Sequence, residues 1–175
     1  MIILLFSFFA LQLTENLSDF SNTEEFKNWR IVNDGVMGGK SNGQFIRSEE
    51  GFAIFQGDVS LKNNGGFTSV RNSFDSKDIS GSKRVMVKLK GDGKTYQFRI
   101  RRESGDYYVY KFAFETSGKW ETITIPLNKV TPTFRGYEPN VPAYDGKQLS
   151  EIGFLIANKK NESFKLEVSK IWLEK

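Results

Sequence analysis

The chain contains neither histidine nor cysteine. Their absence removes Ser-His-Asp and Cys-His nucleophilic machinery, imidazole and thiolate metal sites, disulfides and the commonest general base near neutral pH. Chemistry is left to carboxylates, Lys, Arg, Ser and Tyr, and three groups stand out. The first is Asn33-Asp34-Gly35-Val36-Met37-Gly38-Gly39-Lys40-Ser41. Its glycines strip away side-chain bulk, so backbone amides can present donors to a partner. The second is Arg71, Arg99 and Arg135, taken with Gln97, Asn33 and Asp34. Planar guanidinium donors suit carboxylates, phosphates or sugar hydroxyls. The third is Glu103, Asp106 and Glu115, candidates for a glycoside-acting enzyme, which needs two carboxylates about 5 to 10 Å apart. Glu103 and Asp106, however, surround Gly105 as ordinary turn residues do.

The candidate partner- or ligand-binding set is therefore Asn33, Asp34, Gly35, Met37, Gly38, Arg71, Gln97, Arg99 and Arg135, with no catalytic residue. Plain structural alternatives stand beside it. Residues 33–41 can form a shaped turn docked at an edge, with Met37 as a plug, and the arginines can pair with cross-strand neighbours such as Glu115. Asp75, Asp78 and Asp145 lack the spacing of a calcium loop, so no metal or cofactor is expected.

These residues must be positioned by strands. From Asn28 onward, runs of Val, Ile, Phe and Tyr alternate with Gly, Asn, Asp and Ser, the pattern of strands and tight turns. Strands are predicted at Trp29–Val32, Gly43–Ile46, Phe52–Gln56, Val59–Lys62, Phe67–Arg71, Arg84–Lys90, Tyr96–Arg102, Tyr107–Phe114, Glu121–Pro126, Ile152–Ala157 and Phe164–Trp172. The turns Asn63–Gly66 and Gly91–Lys94 accept positive φ and point to antiparallel hairpins. One short helix, Ser21 to Asn28, is capped by Ser21 or Asn22.

Sixteen Phe among 175 residues predict an aromatic core. So many short strands fit an all-β jelly-roll β-sandwich of two antiparallel sheets. Period-two alternation buries Tyr96, Phe98 and Ile100 and turns Gln97, Arg99 and Arg101 outward. Likewise Tyr108, Tyr110, Phe112 and Phe114 face the core, and Trp29, Trp120 and Trp172 are expected there too. Pro132–Pro142 is read as a loop over one end or face.

The net charge of +4 is spread among interspersed acids and bases, unlike the basic block of a nucleic-acid binder. Met1–Leu11 is apolar but too short to span a bilayer. Residues 1–20 are a signal-like or first-strand segment, and 21–175 one domain. Export to the periplasm or residence in the cytoplasm depends on whether residues 1–12 act as a signal.

Several ordered motifs carry a family resemblance. Asn33–Ser41 is followed by Phe55-Gln56-Gly57-Asp58-Val59-Ser60-Leu61-Lys62-Asn63-Asn64-Gly65-Gly66-Phe67-Thr68-Ser69-Val70-Arg71. Lys90-Gly91-Asp92-Gly93-Lys94-Thr95-Tyr96, Trp120 before Ile125-Pro126, and Pro132-Thr133-Phe134-Arg135-Gly136 come next. The series resembles the complex I intermediate-associated protein 30 family. That resemblance implies a galactose-binding-domain-like sandwich without known catalytic residues. It implies a non-catalytic binding module similar to complex I assembly factors, acting as a monomer on a protein partner such as a respiratory-complex subunit. The alternative is a carbohydrate-binding module. The first twenty residues hold no arginine, which speaks against a mitochondrial address.

Overall fold

The computed structural model describes residues 14–175, apart from the side chains of Val36 and Met37. The expectations for Met1–Leu11, and for Met37 as a plug, fall outside the described residues. The strands are β1 (Thr14–Asp19), β2 (Trp29–Asn33), β3 (Asn42–Arg47), β4 (Ala53–Val59), β5 (Thr68–Asp78) and β6 (Arg84–Lys90). They continue as β7 (Thr95–Arg101), β8 (Val109–Glu115), β9 (Trp120–Pro126), β10 (Thr131–Thr133), β11 (Gln148–Ile156) and β12 (Glu162–Glu174). The one α-helix among the described residues, α1 (Thr23–Lys27), is capped by Asn22, whose side-chain oxygen accepts from the Glu24 amide.

The strands form two sheets. The first runs β3-β4-β12-β6-β9, with β1 also pairing with β12; the second runs β10-β8-β7-β11-β5-β2. Every pairing is antiparallel. This is the all-β sandwich that the alternation predicts. Tyr96, Phe98 and Ile100 are fully buried, and Tyr108, Tyr110 and Phe114 line the same core. Strand β11, flanked by β5 and β7, is buried on both faces, as a central strand should be. Aromatic rings join the layers: Trp29 of the second sheet lies 5.6 Å from Phe45 of the first, and Tyr96 lies 6.4 Å from Phe164.

Several expectations are corrected. The turns 63–66 and 91–94 are not hairpins, because β4 and β6 lie in the first sheet while β5 and β7 lie in the second. Positive-φ residues make a sharp reversal possible; they do not decide which sheet receives the next strand. The strand expected at Val59–Lys62 is the last residue of β4 followed by a 3-10 turn at Lys62–Asn64. Strand β1 lies within the 1–20 segment, for which a first strand is one of the two readings, while β10 has no counterpart in the expected strands and takes up part of the expected Pro132–Pro142 loop.

Trp120 is 42% exposed and Trp172 half-buried, so neither is a core residue. Trp120 pairs with Lys90, placing it on the outer side of β6 opposite buried Val85, Val87 and Leu89. In β12 a bulge between Val168 and Lys170 changes the phase. Phe164, Leu166 and Val168 face inward before it, Ile171 and Leu173 after it, and Trp172 is turned out.

Candidate functional site

Asn33 ends β2 and Asp34 opens the 3-10 turn after it, and together they tie loops to one another. The Asn33 Oδ1 accepts from the Gly43 amide of β3 (3.1 Å) and the Thr68 hydroxyl of β5 (2.6 Å), bridging the two sheets. The Asp34 carboxylate, 3% exposed, accepts from the Ser41 amide and hydroxyl at 3.1 and 2.5 Å, and from the amides of Gly66 and Phe67 at 2.7 and 3.3 Å. Burial pushes this carboxyl up, and the hydrogen bonds outweigh it, holding it below the usual carboxylate range. The glycines around it are a steric requirement: a Cβ on Gly39 would lie 2.2 Å from Asp34 Oδ1, and one on Gly65 2.6 Å from Oδ2. Gly35 and Gly38 face open space.

A second aspartate works the same way. Asp92, in the crossover between β6 and β7, accepts from the Lys94 ammonium, the Tyr96 hydroxyl and the Lys165 amide of β12 at 2.7, 2.9 and 2.9 Å. Both glycine-rich motifs are thus built around a carboxylate that ties a crossover to a neighbouring segment.

The arginines are arranged differently. Across the outer side of the second sheet, register aligns Arg30 (β2), Arg71 (β5), Gly153 (β11), Arg99 (β7), Lys111 (β8) and Thr131 (β10) in one row. The row on one side carries Ser73, Glu151 and Arg101, and the row on the other Val32, Ser69, Leu155, Gln97 and Ala113. Five cations therefore share three rows with one carboxylate, Glu151. That carboxylate is already used: it accepts from the Ser73 hydroxyl at 2.7 Å and pairs with Arg101 at 3.4 Å and Arg30 at 3.5 Å.

Among the described residues, Arg71, Arg99 and Lys111 take part in no ion pair; the pairing expected with Glu115 is not seen. Arg99 donates to Gln97 Oε1 at 3.0 Å, while its buried Nε has no acceptor. Desolvation first, then the charges of Arg71 and Arg101, push its guanidinium down to about 10 against the pull of Glu151. Desolvation and the charges of Arg101 and Arg30 also lower Arg71. Gly153 makes the crowding possible, because a Cβ there would meet Val70 O at 2.5 Å and Arg71 Cγ at 3.3 Å. The stem of Arg71 lies over the glycine.

Like charges held in partial burial cost stability. Arg99→Met is therefore expected to leave the melting temperature unchanged or to raise it. A fall of more than about 1 kcal/mol in stability, read from urea unfolding, would show instead that the fold needs this cation.

The structure thus brings Arg71, Gln97 and Arg99 together on one face. Asn33 and Asp34 sit in the crossover knot, and Arg135 lies apart in the exposed turn after β10, its guanidinium 5.2 Å from the Phe134 ring centre. Sequence reasoning missed Arg30, Lys111, Glu151 and Gly153. The glycine had a signal, because it interrupts the apolar run Ile152-Gly153-Phe154-Leu155-Ile156, and a glycine inside a strand marks a close approach. Two surface depressions, about 610 Å³ near Glu103–Gly105 and about 650 Å³ along residues 128–143, include no member of the cationic row. Among the described residues no three potential metal ligands converge. No helix among them is long and apolar enough to cross a membrane.

Comparison with solved structures finds the same fold in several proteins. The chain is similar to the family 11 module of a cellulosomal cellulase from Clostridium thermocellum, at 21% identity over 91% of this chain and 93% of that one, TM-score 0.70. The family 11 module from Clostridium thermocellum in complex with a beta-1,3-1,4-mixed-linked tetrasaccharide matches at 19% identity over 91% and 94%, TM-score 0.66. An exo-beta-agarase matches at 12% identity over 91% of this chain and 25% of its own, TM-score 0.57. At such identities the likeness is one of fold. No curated protein sequence matches. The family model described as complex I intermediate-associated protein 30 matches residues 18–168, which take in both aspartate knots and all five cations, and the chain belongs to that family.

Proposed function

We propose that this protein is a non-catalytic recognition module of the assembly-factor kind, docking a protein partner on the outer side of the second sheet. The observation that carries the reading is the register of Arg30, Arg71, Gly153, Arg99 and Lys111, a half-buried to exposed cationic row with one occupied carboxylate beside it. A charge excess on a patterned face steers and orients a partner of opposite sign. Family membership supports the protein-binding sense, because the family is described by its association with a complex I intermediate.

The test is charge reversal. Arg99→Glu with Lys111→Glu is expected to lower recovery of mass-spectrometrically identified partners at least fivefold relative to the native chain, with circular dichroism confirming the fold. Equal recovery would sink the reading.

Carbohydrate binding is the second reading, favoured by a cluster of rings beside β10. Tyr107 and Tyr137 are 58% and 55% exposed, and both pack edge-on against Phe134. Exposed rings of this kind stack on sugars. A glycan array discriminates: sugar binding abolished by Tyr107→Ala and unaffected by Arg99→Glu with Lys111→Glu would favour it over protein docking.

A further inference from the structure

We propose that Arg71 and Arg99, facing one another across Gly153, form a carboxylate clamp, and that what it holds is an acidic, extended segment of a partner protein. This rests on the docking face proposed above and names the chemistry recognised there. Neighbouring strands lie about 4.8 Å apart, so Arg71 and Arg99 stand roughly 10 Å apart at the backbone and their long side chains can converge over the glycine between them. The Gly153 surface offers no side chain to fill that space, and Arg71 already leans across it. Two planar, donor-rich groups then flank one position, and among the described residues neither forms an ion pair with a carboxylate.

The Glu151 cluster shows what a satisfied version looks like. There Arg30 and Arg101 share one carboxylate that also accepts from Ser73. In the row through Glu151 the acid stands between Ser73 and Arg101, whereas one row over a glycine stands between two arginines, and among the described residues neither pairs with a carboxylate, which leaves that place to an acid from a partner. Lys111, which takes part in no ion pair among the described residues, extends the row beyond Arg99, which suits a segment bearing more than one acid rather than a single anion. Acids on one face of an extended chain recur about every 6.8 Å, a spacing that long Arg and Lys side chains can follow. An acidic polysaccharide fits less well. The flanking residues Val32, Ser69, Leu155, Gln97 and Ala113 include no ring on which a sugar could stack.

Fluorescence anisotropy of the full chain with a fluorescein-labelled (Glu-Ser)4 peptide tests the clamp, with (Gln-Ser)4 and an oligogalacturonate as the other probes. The glutamate peptide is expected to bind at least tenfold more tightly than the glutamine peptide, and more weakly as salt rises. Arg71→Gln with Arg99→Gln should weaken it at least tenfold, whereas Lys88→Gln, on the exposed outer side of the first sheet, should change it less than twofold. The Glu-against-Gln comparison uses the native protein, so it stands even if the double variant unfolds. Equal affinity for the two peptides, an unchanged affinity in a folded double variant, or tighter binding of oligogalacturonate than of the glutamate peptide overturns the clamp. If the peptide fails while charge reversal still abolishes partner recovery, the clamp falls and the docking face survives.

Discussion

Asp34→Asn is expected to destabilise the protein by about 3 kcal/mol, a loss of roughly 6–12 °C in melting temperature for a chain of this size. One carboxylate accepts four hydrogen bonds there: two from Ser41, one each from Gly66 and Phe67. An amide keeps one acceptor oxygen and turns an N–H toward donors that then have no partner. Buried donors without acceptors carry their full desolvation cost. The pH dependence follows from the same bonds. The folded carboxyl titrates below its unfolded value, so its contribution is complete above about pH 4 and is lost as pH falls through the lower folded value. The gap between native and variant stability should therefore be widest near neutrality and close in acid. A gap that stays constant from pH 7 to pH 2 would show that Asp34 acts through shape, not charge. Gly39 and Gly65 have no room for a Cβ beside this carboxylate, which is the physical content of the double-glycine pattern in both loops.

Strands and their faces were legible because period two is local. Residues 96–101 announce their buried and outward sides without any knowledge of neighbours, and the structure agrees at every position. The partner of each strand was not legible. Asn63–Gly66 and Gly91–Lys94 carry the residues that hairpins use, yet both cross between sheets, and the feature that directs them is a carboxylate bonding to a distant segment: Asp34 to Gly66, Asp92 to Lys165. The cationic row was half legible for the same reason. Arg99 and Arg71 could be placed on outward faces, but only register sets them on either side of Gly153, and register is a property of pairs of strands. Arg30 and Lys111 join from strands distant in sequence.

The three tryptophans give the sharpest test of how burial, rather than residue type, sets energetic weight. Trp29→Ala is expected to cost about 3–5 kcal/mol, because the ring is 7% exposed and lies 5.5, 5.6 and 6.2 Å from Phe20, Phe45 and Phe154. Removing it opens a cavity where the second sheet meets Phe45 of the first. Trp120→Ala is expected to cost less than about 1 kcal/mol, since that ring is 42% exposed and, among the described residues, packs edge-on against the ring of Phe52. Trp29→Phe separates ring packing from polarity. Among the described residues the buried Trp29 Nε1 has no acceptor, so phenylalanine keeps much of the stacking while removing an unpaired donor, and should cost well under half as much as alanine. Urea unfolding of the three variants reads all three numbers on one scale. If Trp120→Ala proved as costly as Trp29→Ala, Trp120 would have to be as buried as Trp29, and the outward phase of β9 would be wrong.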